Sequence, residues 1–337
     1  MSDLELVHVT DTPELQRWCQ LDDATMSADH VGLPADPMVE LVPALSGPIA
    51  GYGIELWLGM SGGQDIGCVK LTMPLHDNLG NADVDLAILP KHRGQGLGRR
   101  LAEAMLARIR AIGRTTVTAE VSSPLGVDIG RSPGAGLAAR FGAKPALTEI
   151  RRMLDLTEID EAGLAALEAD VTAGAKAYSV MQWIDRVPDD DVEDMAALMV
   201  RMSTDSPHGD LVTEPEVWDV ARYRAKEDSA VARDRKRVGT AARDHATGRL
   251  VGFTDLGVST VRPEVGYQWD TIVSREHRGH RLGLLVKLAN LRQLREASPK
   301  TRYLNTWNTD DNAPMIAVND ALGFRPVEVT QEWQLHL

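Results

Sequence analysis

Several features that mark whole classes of protein are scarce in this 337-residue sequence. Its two cysteines, Cys19 and Cys68, supply neither a disulfide framework nor a metal-ligand spacing. The expected compartment is the cytoplasm, where thiols stay reduced. No apolar run approaches the ~20 residues that span a bilayer. The start, Met1-Ser2-Asp3-Leu4-Glu5, is acidic and lacks the charged-then-apolar pattern of a secretory leader. Aromatic residues make up 4% of the chain, and none interleaves the one basic run, Arg233-Asp-Arg-Lys-Arg237. That run reads as a solvated surface loop. A net charge of −13 opposes long-range attraction to nucleic acid or anionic membrane, and it suits a neutral or cationic small substrate. Lysine is scarce beside arginine, eight against twenty-eight, which reflects base composition rather than function.

What remains is ordinary for a folded chain: 43% hydrophobic and 25% charged residues. The length suits about two domains. A repeat organises it. Asp85-Leu-Ala-Ile-Leu-Pro-Lys-His92-Arg93-Gly94-Gln95-Gly96-Leu97-Gly98 resembles Asp270-Thr-Ile-Val-Ser-Arg-Glu-His277-Arg278-Gly279-His280-Arg281-Leu282-Gly283, 185 positions later. Ile66-Gly67 matches Val251-Gly252 at the same offset, and Leu71 matches Leu256. A constant offset across separate elements points to tandem duplication of one domain. The boundaries follow as 1–156 for the first copy, a helical linker at 157–175, and 176–337 for the second.

Each copy reads as strands, a glycine-containing loop, a helix, and two closing strands around a short helix, an α+β pattern. In the first copy a strand ends before Arg93 and a helix starts near Arg99. Gly94, Gly96 and Gly98 let backbone N–H groups face one concavity, and the helix N-terminus adds positive potential. That is an anion site suited to a diphosphate. It is neither a Walker loop nor a G-x-G-x-x-G turn.

Arg-x-x-Gly-x-Gly after such a strand resembles the acyl-CoA signature of the GNAT N-acetyltransferase superfamily, of the two-copy type found in mycothiol synthases, whose C-terminal domain does the chemistry. The resemblance implies two mixed, mostly antiparallel, splayed sheets flanked by helices. It also implies acetyl-CoA as acyl donor and no metal. Carried over, the pyrophosphate loop is Arg93, Gly94, Gln95, Gly96, Leu97, Gly98 and Arg99, and the pantetheine pairs with Leu86, Ala87 and Ile88. In the second copy the equivalents are Arg278, Gly279, His280, Arg281, Leu282, Gly283 and Leu284, with Thr271, Ile272 and Val273 on the strand. Arg281 replaces the middle glycine there. The family's last motif survives better in the second copy, where Asn312 fits its asparagine, Gly323-Phe324 fits its end, and Asn319 stands in the place of its tyrosine acid; Asn308 is a further cofactor contact. The first copy has Arg131, Ala138 and Gly142-Ala143 at these places, so its acceptor side reads as stripped of polar chemistry.

The resemblance therefore implies an N-acetyltransferase that moves acetyl to a small-molecule amine by direct attack, with the chemistry in the second copy. Candidate catalytic groups are Asn319, Asp270, Asp205 and Glu264. By strand alternation Tyr267 and Trp269 share the substrate face and Asp270 points away; His208 lies in a polar loop that frames the acceptor. His92 and His277 read as supports of the loop. The competing readings are a non-catalytic acyl-CoA-binding scaffold and catalysis in the first copy. Expected partners are acyl-CoA and the amine, without nucleic acid or membrane, and the chain is expected as a monomer or homodimer.

Overall fold

The computed structural model describes residues 4–337. Residues 1–3, part of the acidic start, lie outside the described residues. By backbone contact the chain divides into two compact units. The first holds the chain up to Ile150, His208–Glu214 and Val327–Leu337; the second holds Arg151–Pro207 and Pro215–Pro326. The closing strand of the sequence thus belongs to the first unit, and the units cut across the sequence copies.

In the first unit six strands lie in the order β1 (Leu4–His8), β2 (Tyr52–Ser61), β3 (Gln64–Pro74), β4 (Asn81–Ile88), β5 (Thr116–Pro124) and β12 (Arg325–His336). All neighbours are antiparallel except β4 and β5, which are parallel. Helix α1 (Thr12–Asp29) starts where Asp11 accepts from the Glu14 amide and Pro13 sits in the first turn. It lays Leu15, Trp18 and Leu21 over Leu56, Leu58 and Cys68. A short helix, α2 (Met38–Leu41), follows it. On the other face α3 (Leu97–Ala111) buries Met105 and Ile109 against Val69, Leu71 and Ala82. Alternation along β3 sends Cys68 to one layer and Val69 to the other. Helix α4 (Pro133–Arg140) is capped by Ser132.

The second unit repeats the plan. Strands β7 (Tyr178–Ile184), β8 (Arg235–Asp244), β9 (Leu250–Ser259) and β10 (Val265–Val273) form an antiparallel run, and β11 (Tyr303–Thr309) lies parallel to β10. Beside β11 runs β6 (Lys144–Asp155), whose residues 151–155 belong to this unit. Helices α6 (Val192–Asp205) and α7 (Val220–Ala232) contribute Met195, Met199 and Tyr223 to the layer under Phe253. Helices α5 (Glu161–Gly174) and α8 (Leu282–Ala297) pack on Leu256 and Val258, and α9 (Ala313–Ala321) ends before Gly323 at φ 94°.

The basic run corrects the sequence reading. Arg235–Asp244 is strand β8, and Arg237 is buried against Asp255 at 2.6 Å, its guanidinium over the Tyr223 ring. A charge run cannot reveal which member will meet a buried counter-ion.

Candidate functional site

In each unit a parallel strand pair opens before the glycine loop. β4 meets β5 at three residue pairs, ending at Asp83↔Thr118. β10 meets β11 at three, ending at Tyr267↔Asn305. Beyond those points one edge of β4 and of β10 has no pairing from its parallel neighbour, which leaves backbone groups free for a ligand.

The two loops have the same build. Arg93 donates from Nε to the Ile88 carbonyl at 2.8 Å and grips Asp29 with both terminal nitrogens. Arg278 donates from Nε to the Val273 carbonyl at 3.1 Å and reaches Asp205 at 3.3 Å. Gly96 caps α3 at φ 77°, ψ 4°, and Arg281 caps α8 at φ 58°, ψ 21°. The arginine adopts the left-handed turn that glycine adopts freely, and its guanidinium pairs outward with Asp170 at 2.5 Å. The substitution leaves the shape of the loop intact.

In the first unit Leu86, Ile88, Arg93, Gly94 and Gly96–Arg99 line a cavity of about 900 Å³. Gln95 instead donates to the Lys91 carbonyl, and Ala87 packs toward α1. Glu120 stands on the cavity wall. Its side chain is exposed to the open cleft, yet desolvation by the surrounding walls, with Asp85 and Glu332 nearby, pushes its carboxyl up to about 7. Glu332 lies directly opposite Glu120 in the β5–β12 register. Burial and Glu149 raise Glu332 to about 7; burial and Glu120 raise Glu149 likewise, and Asp83 is raised to about 6 by burial and Asp85. Lys70 pairs with Asp85 at 2.8 Å and offsets part of the rise at Asp83. This wall of the cleft is therefore rich in carboxylates, although Ala138 and Ala143 add no polar group to it. Sequence reasoning missed Glu120, Glu332, Glu149 and Asp83, because strand residues far apart in the chain gave no local motif. The position of Glu332 depends on β12 lying beside β5.

In the second unit Thr271, Ile272, Val273, Arg278, Gly279, Arg281, Leu282, Gly283 and Asn312 line a cavity of about 460 Å³. Leu284 packs in the core, and His280 lies beside the Tyr178 ring. His277 meets the Tyr178 hydroxyl at 3.0 Å, a support for the loop. Asn312 uses its oxygen to cap α9, accepting from the Met315 amide.

The expected reacting groups are held as follows. Asp205 lines the second cavity and pairs with Arg275 at 2.9 Å as well as with Arg278. Glu264 is exposed, before β10 and at its fully paired end. His208 belongs to the first unit, within His208–Glu214. Asp270 pairs with Lys226 at 2.9 Å, and its amide donates to Asp255 at 3.2 Å. The register shifts between Gln268 and Thr271, so two residues oppose Asp255. This bulge defeats simple alternation: Trp269 lies against Gly257 while Asp270 reaches Lys226 of α7. Tyr267 stacks on Trp307 with centroids 6.4 Å apart, and the Arg235 guanidinium lies 5.7 Å from Tyr267 and 5.9 Å from Trp269.

Asn319 is fully buried. Its oxygen accepts from Lys287 at 2.6 Å and its nitrogen donates to Asn308 at 2.5 Å. With Lys287 donating, the amide is oriented with its oxygen toward the lysine and its nitrogen toward Asn308. Burial pulls Lys287 down to about 7. Nothing in the sequence marked Lys287.

Comparison with known proteins agrees with this geometry. An acetyltransferase (GNAT) domain model matches residues 53–126. A tandem GNAT protein from the clavulanic acid biosynthesis pathway superposes with a TM-score of 0.80 at 30% identity, covering 99% of this chain and 98% of that one. A mycothiol acetyltransferase of Saccharomonospora viridis is 28% identical over 264 residues, 76% of this chain and 75% of that protein. A GCN5-related N-acetyltransferase from Sphaerobacter thermophilus, at 14% identity and a TM-score of 0.65, covers 98% of this chain and bears on the fold alone. The chain belongs to the GNAT acetyltransferase family. Within it, the chain has the tandem layout of two GNAT folds. Among the described residues no helix is long and apolar enough to cross a membrane.

Proposed function

We propose that this protein transfers the acyl group of an acyl-CoA to an amine of a small molecule, and that the cleft of the first unit is the transfer centre. The observation that carries this reading is Glu120, a carboxylate raised to about 7, on the wall of the cleft headed by the glycine loop. The cleft has two electrostatic ends: Arg93, Arg99, Arg131 and Arg140 line it with the loop and suit CoA phosphates, whereas Glu120 suits a cationic amine.

The amine must lose a proton to attack the thioester carbonyl. A base matched to neutral pH is suited to take it. The nitrogen lone pair forms the C–N bond, the proton passes to Glu120, and the C–S bond breaks. The unpaired edge of β4 supplies backbone donors to the developing oxyanion. Ala138 offers no acid to the thiolate, so solvent protonates it. No covalent enzyme intermediate is required; burial pushes both cysteine thiols well above neutrality.

A second reading places the transfer in the second unit. The bulge in β10 and the preserved turn at Arg281 favour it. The deciding experiment is acetyl-CoA-dependent turnover on an amine panel by Glu120→Gln and Asn319→Ala proteins. A hundredfold or greater loss in Glu120→Gln alone supports the first unit. Loss in Asn319→Ala alone moves the chemistry to the second. Acetyl-CoA binding without any turnover leaves a scaffold.

A further inference from the structure

The two units differ between the loop helix and the short helix that follows it. In the second, Lys287, Asn319 and Phe324 fill the space between α8 and α9: Lys287 touches Asn319 at 2.6 Å and lies 5.5 Å from the Phe324 ring centroid. The corresponding residues of the first unit are Ala102, Ala138 and Ala143. Ala102 follows from the 185-residue offset. Ala138 and Ala143 follow from the helix that ends, like α9, before a glycine of positive φ, Gly142 at 85°. Where the second unit has a lysine, an asparagine and a phenylalanine, the first has three alanines.

The result is a cavity of about 120 Å³ lined by these alanines with Leu137, Phe141 and Trp333. It shares Leu86, Glu120 and Leu137 with the wall of the large cleft, so it adjoins Glu120, the proposed base. A second observation points to an occupant. Trp333 is 8% exposed, and its Nε1 donor meets no acceptor in the protein. A buried donor without a partner is costly, and an oxygen of a bound ligand can answer it.

We propose that this cavity is an acyl pocket and that the first unit prefers donors with a straight acyl chain of about four carbons over acetyl. The inference rests on the reading of that cleft as the acyl-CoA site. An apolar cavity of about 150 Å³ holds a six-carbon ring, so the volume found here suits about four carbons. Each methylene buried is worth about 0.8 kcal/mol, or about fourfold in affinity. Butyryl-CoA is therefore expected to bind about fifteenfold more tightly than acetyl-CoA.

The test is calorimetric titration of the full chain with acetyl-, propionyl-, butyryl- and octanoyl-CoA, repeated on Ala143→Phe and Gly96→Trp proteins. The expected result is affinity rising through butyryl and falling by octanoyl, with the butyryl-to-acetyl ratio dropping to about one in Ala143→Phe. Acetyl-CoA binding as tightly as butyryl-CoA to the unaltered protein, at a site lost in Gly96→Trp, overturns the pocket and leaves the cleft assignment standing. Binding of every thioester unaffected by Gly96→Trp overturns the cleft assignment itself. The unaltered protein's chain-length series decides the matter even where Ala143→Phe fails to fold.

Discussion

Asp205 and Arg278 in the second unit repeat the pairing of Asp29 and Arg93 in the first: in both, the last residue of a long helix holds the loop arginine whose Nε closes on a strand carbonyl. The carboxylate of Asp205 is a brace of the turn. Asp205→Ala frees two partly exposed arginines and is expected to cost about 1 kcal/mol. A chemical denaturation curve measures it. A large fall in turnover at unchanged stability would instead make Asp205 a reacting group.

Arg281 bears on the same turn. A non-glycine residue in the left-handed region costs roughly 1 kcal/mol. The ion pair with Asp170 that accompanies it is exposed at both ends and returns little. Arg281→Gly is expected to raise the melting temperature by about 2 °C and to leave the turn in place. A lower melting temperature would show that the Asp170 pairing outweighs the strain.

The repeat, the strand order before each loop and the loop itself were legible because they are local: glycine spacing and a constant offset survive in one dimension. Three things were not. The bulge at Trp269–Asp270 is fixed by the partner strand, so alternation alone placed Asp270 on the wrong face. The burial of Arg237 depends on Asp255, 18 residues away across a hairpin. The carboxylates around Glu120 come from β4, β5, β6 and β12, and β12 joins the unit only because the last strand returns to the first half of the chain. Asn319 was legible as a position in a motif, but its buried lysine partner lies 32 residues earlier on another helix.

The carboxylates also set a pH dependence. Glu120, Glu149 and Glu332 hold protons to about 7, while in the unfolded chain they lose them near 4.3. Between those values the folded state binds more protons than the unfolded state, so the contribution of these groups to stability falls as pH rises from about 4.5 to about 7. Glu332→Gln removes one of these charges and relieves Glu149 and Asp83. The variant is expected to melt higher than the unaltered protein at pH 8, with the difference vanishing by pH 5. A difference that is constant with pH would show that the carboxylates do not repel one another in the fold.

Turnover should follow the same group with the opposite sign. Glu120 accepts a proton only when ionised, so kcat is expected to rise through about pH 7 and level above it. Glu120→Asp should shift that limb, and Glu120→Gln should abolish it while Km for acyl-CoA changes little. An unaltered limb in Glu120→Gln would assign the titration to the amine or to the other unit.

Lys287 in the second unit offers the sharpest contest between two terms. Burial lowers it from its ordinary 10.5 to about 7, so its ammonium is penalised in the fold by about 5 kcal/mol in the limit where it is fully charged. Removing it strands the Asn319 oxygen, a loss of about 1–3 kcal/mol. The first term is the larger, and Lys287→Met is expected to stabilise the protein. The sign with pH follows from linkage: a depressed lysine pKa penalises the fold most below 7, and the penalty fades as pH rises toward 10. The gain in melting temperature should therefore be greatest at pH 6 and shrink by pH 9. A loss of stability at pH 6 would mean that the bond to Asn319 and the contact with Phe324 outweigh the desolvation of the ammonium.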